Sequence, residues 1–271
     1  MRAFVFSGGG NRGALQVGAL EALLQRGVFP DMLVGVSAGA VNAALFASNP
    51  TLAGIQAMKA FWLDDLSRSA PSLQRGQAIM RLALGRNSLF NEATRLRFVE
   101  SWPLSRRHMS EFTRPQLYIT SVCLSDGELR VFGDGQDDTV GDAVMASTAL
   151  PPFFSPWQID GGAYVDGGAR SNLPVRVAAD HGADEIYALN LVRPFGDTAT
   201  PLAGVFSIGA RALGSLLDYT AELELEIVRQ DPRLQLHLLN LQVSHAPPVW
   251  DLSRTGEMIE TGHQIADQYI E

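Results

Sequence analysis

The chain has 271 residues, 46% of them hydrophobic and 18% charged, with a formal net charge of −8 and a single cysteine. That length supports one large core, or one core with an inserted cap, and the hydrophobic fraction is that of an ordinary globular domain. The acidic total without a basic motif excludes a nucleic-acid partner, the lone Cys123 excludes an internal disulfide and fits a reducing compartment, and no apolar stretch reaches the roughly 18 residues a membrane-spanning helix needs.

In chain order, residues 3–6 (Ala-Phe-Val-Phe) read as a short strand running into Ser7-Gly8-Gly9-Gly10-Asn11-Arg12-Gly13. The apolar run ends at Phe6 and structural glycines follow, so no cleaved signal peptide is expected. A helix is predicted over 14–26, with Leu15, Ala19, Leu20, Leu23 and Leu24 on one face and Gly27 as its stop. Three consecutive glycines ahead of a helix expose backbone N–H groups to an anion. Gly8, Gly10 and Gly13 also spell G-x-G-x-x-G, the dinucleotide fingerprint, which requires an acid at the end of the second strand. The nearby acid, Asp31, precedes that strand, and Ser37 occupies its end. The nucleotide reading is therefore set aside.

The second strand, 32–36, leads into Gly35-Val36-Ser37-Ala38-Gly39 and a helix over 38–48. This is G-x-S-x-G in a strand, sharp turn and helix, the setting of a nucleophilic serine. Gly35 and Gly39 leave room for a strained turn, and the helix directs its positive end at the hydroxyl.

Further helices are predicted near 51–63, 73–84 and 92–101, strands near 117–124 and 128–132 with a polar loop at 133–138 closing their hairpin, and a helix near 139–148. Cys123 falls in the apolar strand and reads as a buried, inert thiol. Two short strands within 157–165 are punctuated by Asp160-Gly161-Gly162 and Asp166-Gly167-Gly168. Asp-Gly favours tight turns, and Asp160 reads as a turn residue. Asp166 ends an apolar strand, which would bring its carboxylate out at a sheet edge. A helix near 174–181, a strand near 185–191, a long helix over 203–229 ended by Asp231-Pro232, a strand near 234–243 and a helix near 254–270 complete the chain. Alternating strands and helices imply a three-layer α/β/α sandwich on a mostly parallel sheet, made mixed by the hairpin. A single domain over 1–271 is expected, with residues about 64–110 as a cap-like helical insertion.

Taken together, the glycine loop at Gly8–Gly13, the serine turn at Gly35–Gly39 and the Asp166-Gly167-Gly168 step resemble, in kind and order, the patatin-like phospholipase family. The stretch from Ala146 to Phe154, with Asn172 and Pro174 beyond it, is similar too, and the resemblance covers residues 3 to about 190. It implies a lipid acyl hydrolase working through a Ser-Asp dyad: Ser37 as nucleophile, Asp166 as base, and N–H groups of Gly8, Gly9, Gly10, Asn11 and Arg12 as the oxyanion hole. Gly13, Gly35, Gly39, Gly167 and Gly168 complete the motifs structurally. An aspartate at its ordinary pKa of about 3.9 is a poor base for an alcohol, so Asp166 needs desolvation and the acyl intermediate needs the oxyanion site.

The implied partner is a lipid or lysophospholipid, and an acyltransferase using the same acyl-serine is the nearby alternative. A Ser-His-Asp esterase is the other, with His245 as its best-placed histidine because it follows a strand-like run. No His, Cys, Asp or Glu group has metal-ligand spacing, so no metal or cofactor is expected. Residues 59–107 hold nine Lys or Arg against four acids, interleaved with Phe61, Trp62, Leu63, Met80, Leu84, Leu89, Phe90 and Trp102. The segment reads either as an interfacial surface for anionic headgroups or as a helical insertion with a buried apolar face. A cytoplasmic protein, peripheral at the membrane through this segment, is expected. The sequence carries no signal for an oligomeric state.

Overall fold

The computed structural model describes residues 1–65, 80–81, 84–90, 92–193, 204–244 and 251–270. Eight strands form one mixed sheet: β1 (Arg2–Phe6), β2 (Met32–Gly35), β3 (Gln116–Cys123), β4 (Leu129–Phe132), β5 (Trp157–Ile159), β6 (Gly162–Asp166), β7 (Glu185–Leu191) and β8 (Gln235–Leu241). The order is β5-β6-β3-β2-β1-β7-β8, with β4 beside β3. The central pairs β3-β2, β2-β1, β1-β7 and β7-β8 are parallel. The β3-β4, β3-β6 and β5-β6 pairs are antiparallel, so the sheet is mixed as expected.

Successive side chains of a strand face opposite sides of its sheet, and β1 shows what that does here. Phe4 and Phe6 join a core with helices α1 (Gly13–Gln25), α2 (Ala38–Ser48), α5 (Val140–Ser147) and α8 (Thr255–Ile270). Ala3 and Val5 join a second core with α6 (Val175–Asp180) and α7 (Val205–Arg229). One helical layer thus covers each face. The remaining described helices are α3 (Leu52–Ala60), which continues into a wide turn at Phe61–Asp65, and α4 (Glu92–Ser101).

Several expectations change. Helix α1 buries its whole circumference from Gly13 to Leu24 rather than one face. The backbone of α8 crosses it so closely that a Cβ at Gly18 would lie 1.8 Å from the Ile259 carbonyl oxygen. The two short strands expected within 157–165 are present as β5 and β6, separated by Asp160-Gly161, both in the left-handed region at φ 49° and 81°. That pairing of torsions suits a two-residue hairpin. The β3-β4 hairpin closes at residues 124–128, not 133–138. The 133–138 loop instead folds around Asp138, which accepts the N–H groups of Gly133 (2.9 Å) and Gly135 (3.1 Å). Cys123, at the end of β3, is half-buried beside the Ser125 hydroxyl rather than in the core. Most of the helix expected at 73–84 lies outside the described residues.

Candidate active site

Ser37 follows β2 and caps α2 with φ 56° and ψ −123°. A non-glycine residue in such a conformation stores on the order of 1–3 kcal/mol, and surrounding contacts must hold it there. The Ser37 N–H donates to the Ser147 hydroxyl at 2.8 Å, and the Gly39 N–H donates to the Val36 carbonyl at 2.8 Å. Helix α2 also sits tightly on the strands. A Cβ at Gly39 would lie 2.3 Å from the Phe6 carbonyl oxygen, and one at Gly35 2.5 Å from that of Gly39. The serine turn therefore needs both glycines for space.

The glycine loop leaves β1 beside this turn. Gly8 is locked to Asn172: its N–H donates to the Asn172 carbonyl at 3.1 Å, and the Asn172 amide donates back to the Gly8 carbonyl at 3.4 Å. This corrects the expectation that Gly8 offers its N–H to an oxyanion. Its role is close approach, since a Cβ there would lie 3.1 Å from that of Ser37 and 2.4 Å from Asn172 Oδ1. The chain then turns at Gly10 (φ 62°) into a single 3-10 turn, Gly10–Arg12, continuous with α1. The leading N–H groups of a helical segment have no partner within it, so those of Gly9 and Gly10 open this segment next to the serine.

Beneath the loop, a buried polar chain braces it. Gln16 donates to the Ser7 and Leu189 carbonyls (3.0 Å each), Asn42 donates to the Gly13 carbonyl and to Gln16 (2.9 Å each), and Trp62 donates to Asn42 (2.8 Å). The Asn11 side chain ties the loop to the Asp251 carbonyl at 2.6 Å. The Arg12 guanidinium is buried against the carbonyls of Gly9 (3.3 Å) and Leu191 (3.4 Å). Burial, with Arg193 nearby, brings its pKa down to about 10, so it stays a cation at neutral pH.

Asp166 closes β6, paired with Ser121 of β3. It is 2% exposed, receives a hydrogen bond from the Gly168 N–H at 2.9 Å and faces the Ser37 hydroxyl. Burial pushes its pKa up to about 6, and the neighbouring Ser37 hydroxyl, the Gly168 hydrogen bond and the Arg95 charge limit the rise. Its turn is fixed by close packing: a Cβ at Gly167 would lie 2.5 Å from the Thr120 carbonyl oxygen, and one at Gly168 2.8 Å from Asn172 Oδ1. The structure thus gathers Ser37, Asp166 and the loop from Gly8 to Gly13 at one edge of the sheet.

Other candidates lie elsewhere. Asp160 is exposed in the β5-β6 turn. His181 bonds Asp134, His237 stacks on Tyr187, His263 bonds Gln25 and His108 starts a turn closed by Glu111. His245 lies outside the described residues. Within 59–107, Phe61, Trp62, Leu89, Phe90 and Trp102 turn inward, Leu63, Met80 and Leu84 are exposed, and Lys59 binds Glu21 at 2.6 Å. Sequence reasoning missed Ser147, Arg95 and Thr220. Thr220 accepts the Asn172 N–H at 3.2 Å and donates to the Gly168 carbonyl at 3.2 Å, although nothing in the sequence near it marks a site. Among the described residues no group of three His, Cys, Asp or Glu could hold a metal ion, and no helix is long and apolar enough to cross a membrane.

The profile of the patatin-like phospholipase family matches residues 4–179. Patatin-like phospholipase domain-containing protein 7 of Rattus norvegicus is 31% identical over 190 residues, which are 70% of this chain and 13% of the relative. The NTE family protein MT2641 of Mycobacterium tuberculosis is 28% identical over 197 residues, 70% of this chain and 30% of the relative. This chain therefore spans less than a third of the length of these curated relatives. The solved structure of VipD from Legionella pneumophila shares the fold, with a TM-score of 0.51 at 14% identity over 99% of this chain and 66% of that one. On its sequence match across the glycine loop, the serine turn and the aspartate turn, the chain belongs to the patatin-like phospholipase family.

Proposed function

We propose that this chain is a lipid acyl hydrolase that cleaves the carboxylic ester of a phospholipid or lysophospholipid through an acyl-serine. The observation that carries the reading is the Ser37 turn set against a buried carboxylate, Asp166, whose pKa burial pushes up to about 6. At neutral pH that carboxylate is ionised, yet it is a far better proton acceptor than an exposed aspartate. As Ser37 Oγ bonds to the ester carbonyl carbon, its proton passes to Asp166 and the carbonyl oxygen becomes an oxyanion. The N–H groups of Gly9 and Gly10 are the leading candidates to receive that charge, with those of Asn11 and Arg12 behind them. One such donor contributes roughly 3–4 kcal/mol to lowering a barrier of this kind. Asp166 returns the proton to the leaving alkoxide. Water, deprotonated by the same carboxylate, then releases the fatty acid from the serine. No metal or cofactor enters this scheme, and the segment near 64–110 is assigned as a cap at the lipid entrance.

The test is covalent labelling. A fluorophosphonate should label the wild-type chain and leave Ser37→Ala unlabelled, with an unchanged circular dichroism spectrum. Labelling that persists in the alanine variant would move the nucleophile elsewhere and overturn the reading.

A further inference from the structure

Helix α7 is apolar on two sides. Ala221, Leu225 and Val228 are buried in the second core, and Leu217 is buried on the same side. At helical spacing on the opposite side, Val205 (84% exposed), Ile208 (55%), Leu216 (63%), Tyr219 (57%), Leu223 (40%) and Ile227 (47%) face outward. A surface helix normally carries polar residues there. The helix is also longer than the sheet it covers. Its 25 residues span about 37 Å at 1.5 Å per residue, against about 23 Å for the seven residues of β7.

Its C-terminal end lies at the start of β8, which pairs with the start of β7, so the surplus emerges at the other edge of the sheet, where the candidate site lies. The contacts agree. A Cβ at Gly168 would lie 3.0 Å from Leu217, and Asp218 meets Arg193, just past the end of β7, at 3.5 Å. Residues 208–212 are exposed on every side, and Leu213 after them is partly covered.

We propose that the projecting N-terminal turns of α7, with the outward stripe behind them, are the surface that docks this protein onto a zwitterionic or neutral lipid interface. The inference rests on the lipid-hydrolase reading for its purpose, and names the partner of that same site. Lipid is the occupant because the exposed apolar turns stand beside the serine and aspartate turns, where an aggregated substrate has to arrive. Charge selects the kind of lipid. The helix carries four carboxylates (Asp218, Glu222, Glu224, Glu226) against two arginines (Arg211, Arg229), so it offers an anionic surface no net attraction.

The test uses vesicles of ether-linked phosphatidylcholine, which have no ester to cleave. The wild-type chain should co-sediment with them, and added phosphatidylglycerol should not strengthen binding beyond twofold. Val205→Asp/Ile208→Asp should bind at least tenfold more weakly, and Val205→Ala/Ile208→Ala by an intermediate amount. Hydrolysis of a dissolved p-nitrophenyl ester should stay within twofold in both variants. Failure of the wild type to bind, undiminished binding by the aspartate variant, or a requirement for anionic lipid would overturn the proposal. So would a dimer, seen by sedimentation, that the aspartates dissociate, since a second copy would then own the face. Vesicle binding without ester hydrolysis would support the docking surface and count against the catalytic reading alone.

Discussion

The chain contains the same tripeptide, Asp-Gly-Gly, twice within nine residues, and the two copies do opposite things. Asp160 turns the β5-β6 hairpin with φ 49°, its side chain exposed. Asp166, one strand later, is buried at φ −48° and faces the Ser37 hydroxyl. The difference is not in the local sequence. The first copy falls in the tight turn between β5 and β6, beyond the stretch of β6 that pairs with β3, so its turn faces water. The second falls where β6 has docked along β3, which buries its carboxylate against the serine turn. Identical turn chemistry thus yields a loop in one place and a titrating group in the other.

The most demanding way to break this comparison is to remove each charge. Asp166→Asn should lower ester hydrolysis by roughly 10²–10⁴-fold, the usual contribution of a positioned general base, while Asp160→Asn should change it by less than about twofold. Steady-state kinetics on a dissolved ester checks this, and equal losses at both positions would show that burial does not distinguish them.

The pH profile of the wild type sharpens the comparison further. Asp166 must be ionised to accept a proton, so kcat/KM should rise through its pKa of about 6 and level off above it. Below that, the rate should fall about tenfold per pH unit.

Stability gives the third test, with its sign fixed by linkage. The folded pKa of Asp166, about 6, lies above its ordinary value of 3.8, so the fold favours the protonated form. The native state is then penalised as pH rises through about 6, and the penalty vanishes below the unfolded pKa. Asp166→Asn removes the buried charge and should stabilise the protein by about 2–3 kcal/mol at pH 8, with the gain fading toward pH 4. Urea unfolding at the two pH values measures it.

Smaller effects follow outward from the site. Ser147→Ala leaves the Ser37 N–H without its hydroxyl acceptor. A lost partner of this kind costs about 1–3 kcal/mol, and activity should fall with it as the strained turn relaxes. Asp160→Asn should leave stability within about 0.5 kcal/mol, because asparagine tolerates the left-handed region as readily as aspartate.

Much of the molecule was legible before folding was considered. Strand-helix alternation gave the layered sheet, because a strand buried on both faces and a helix that must cover it leave different apolar periods. The glycines at positions 35 and 39 marked the serine turn, because only a residue without Cβ fits where backbone meets backbone, and those at 8 and 9 leave no room for a side chain beside Asn172, Ser37 and Leu191. Sequence alone also gave Asp166 as the carboxylate at a strand end and Asp160 as a turn. What it could not give are the contacts between segments distant along the chain. The Gly8 N–H looked available until Asn172, 164 positions later, took it. The aromatics of the basic segment could be read as interfacial or as buried until Trp62 was found buried and bracing the loop through Asn42. The pKa of Asp166 was likewise beyond reach, since desolvation depends on what packs around a group and not on its neighbours in sequence. Local backbone preferences are written in short stretches of residues. Burial, hydrogen-bond ownership and charge state arise only when separate stretches exclude water together, and that is settled in three dimensions.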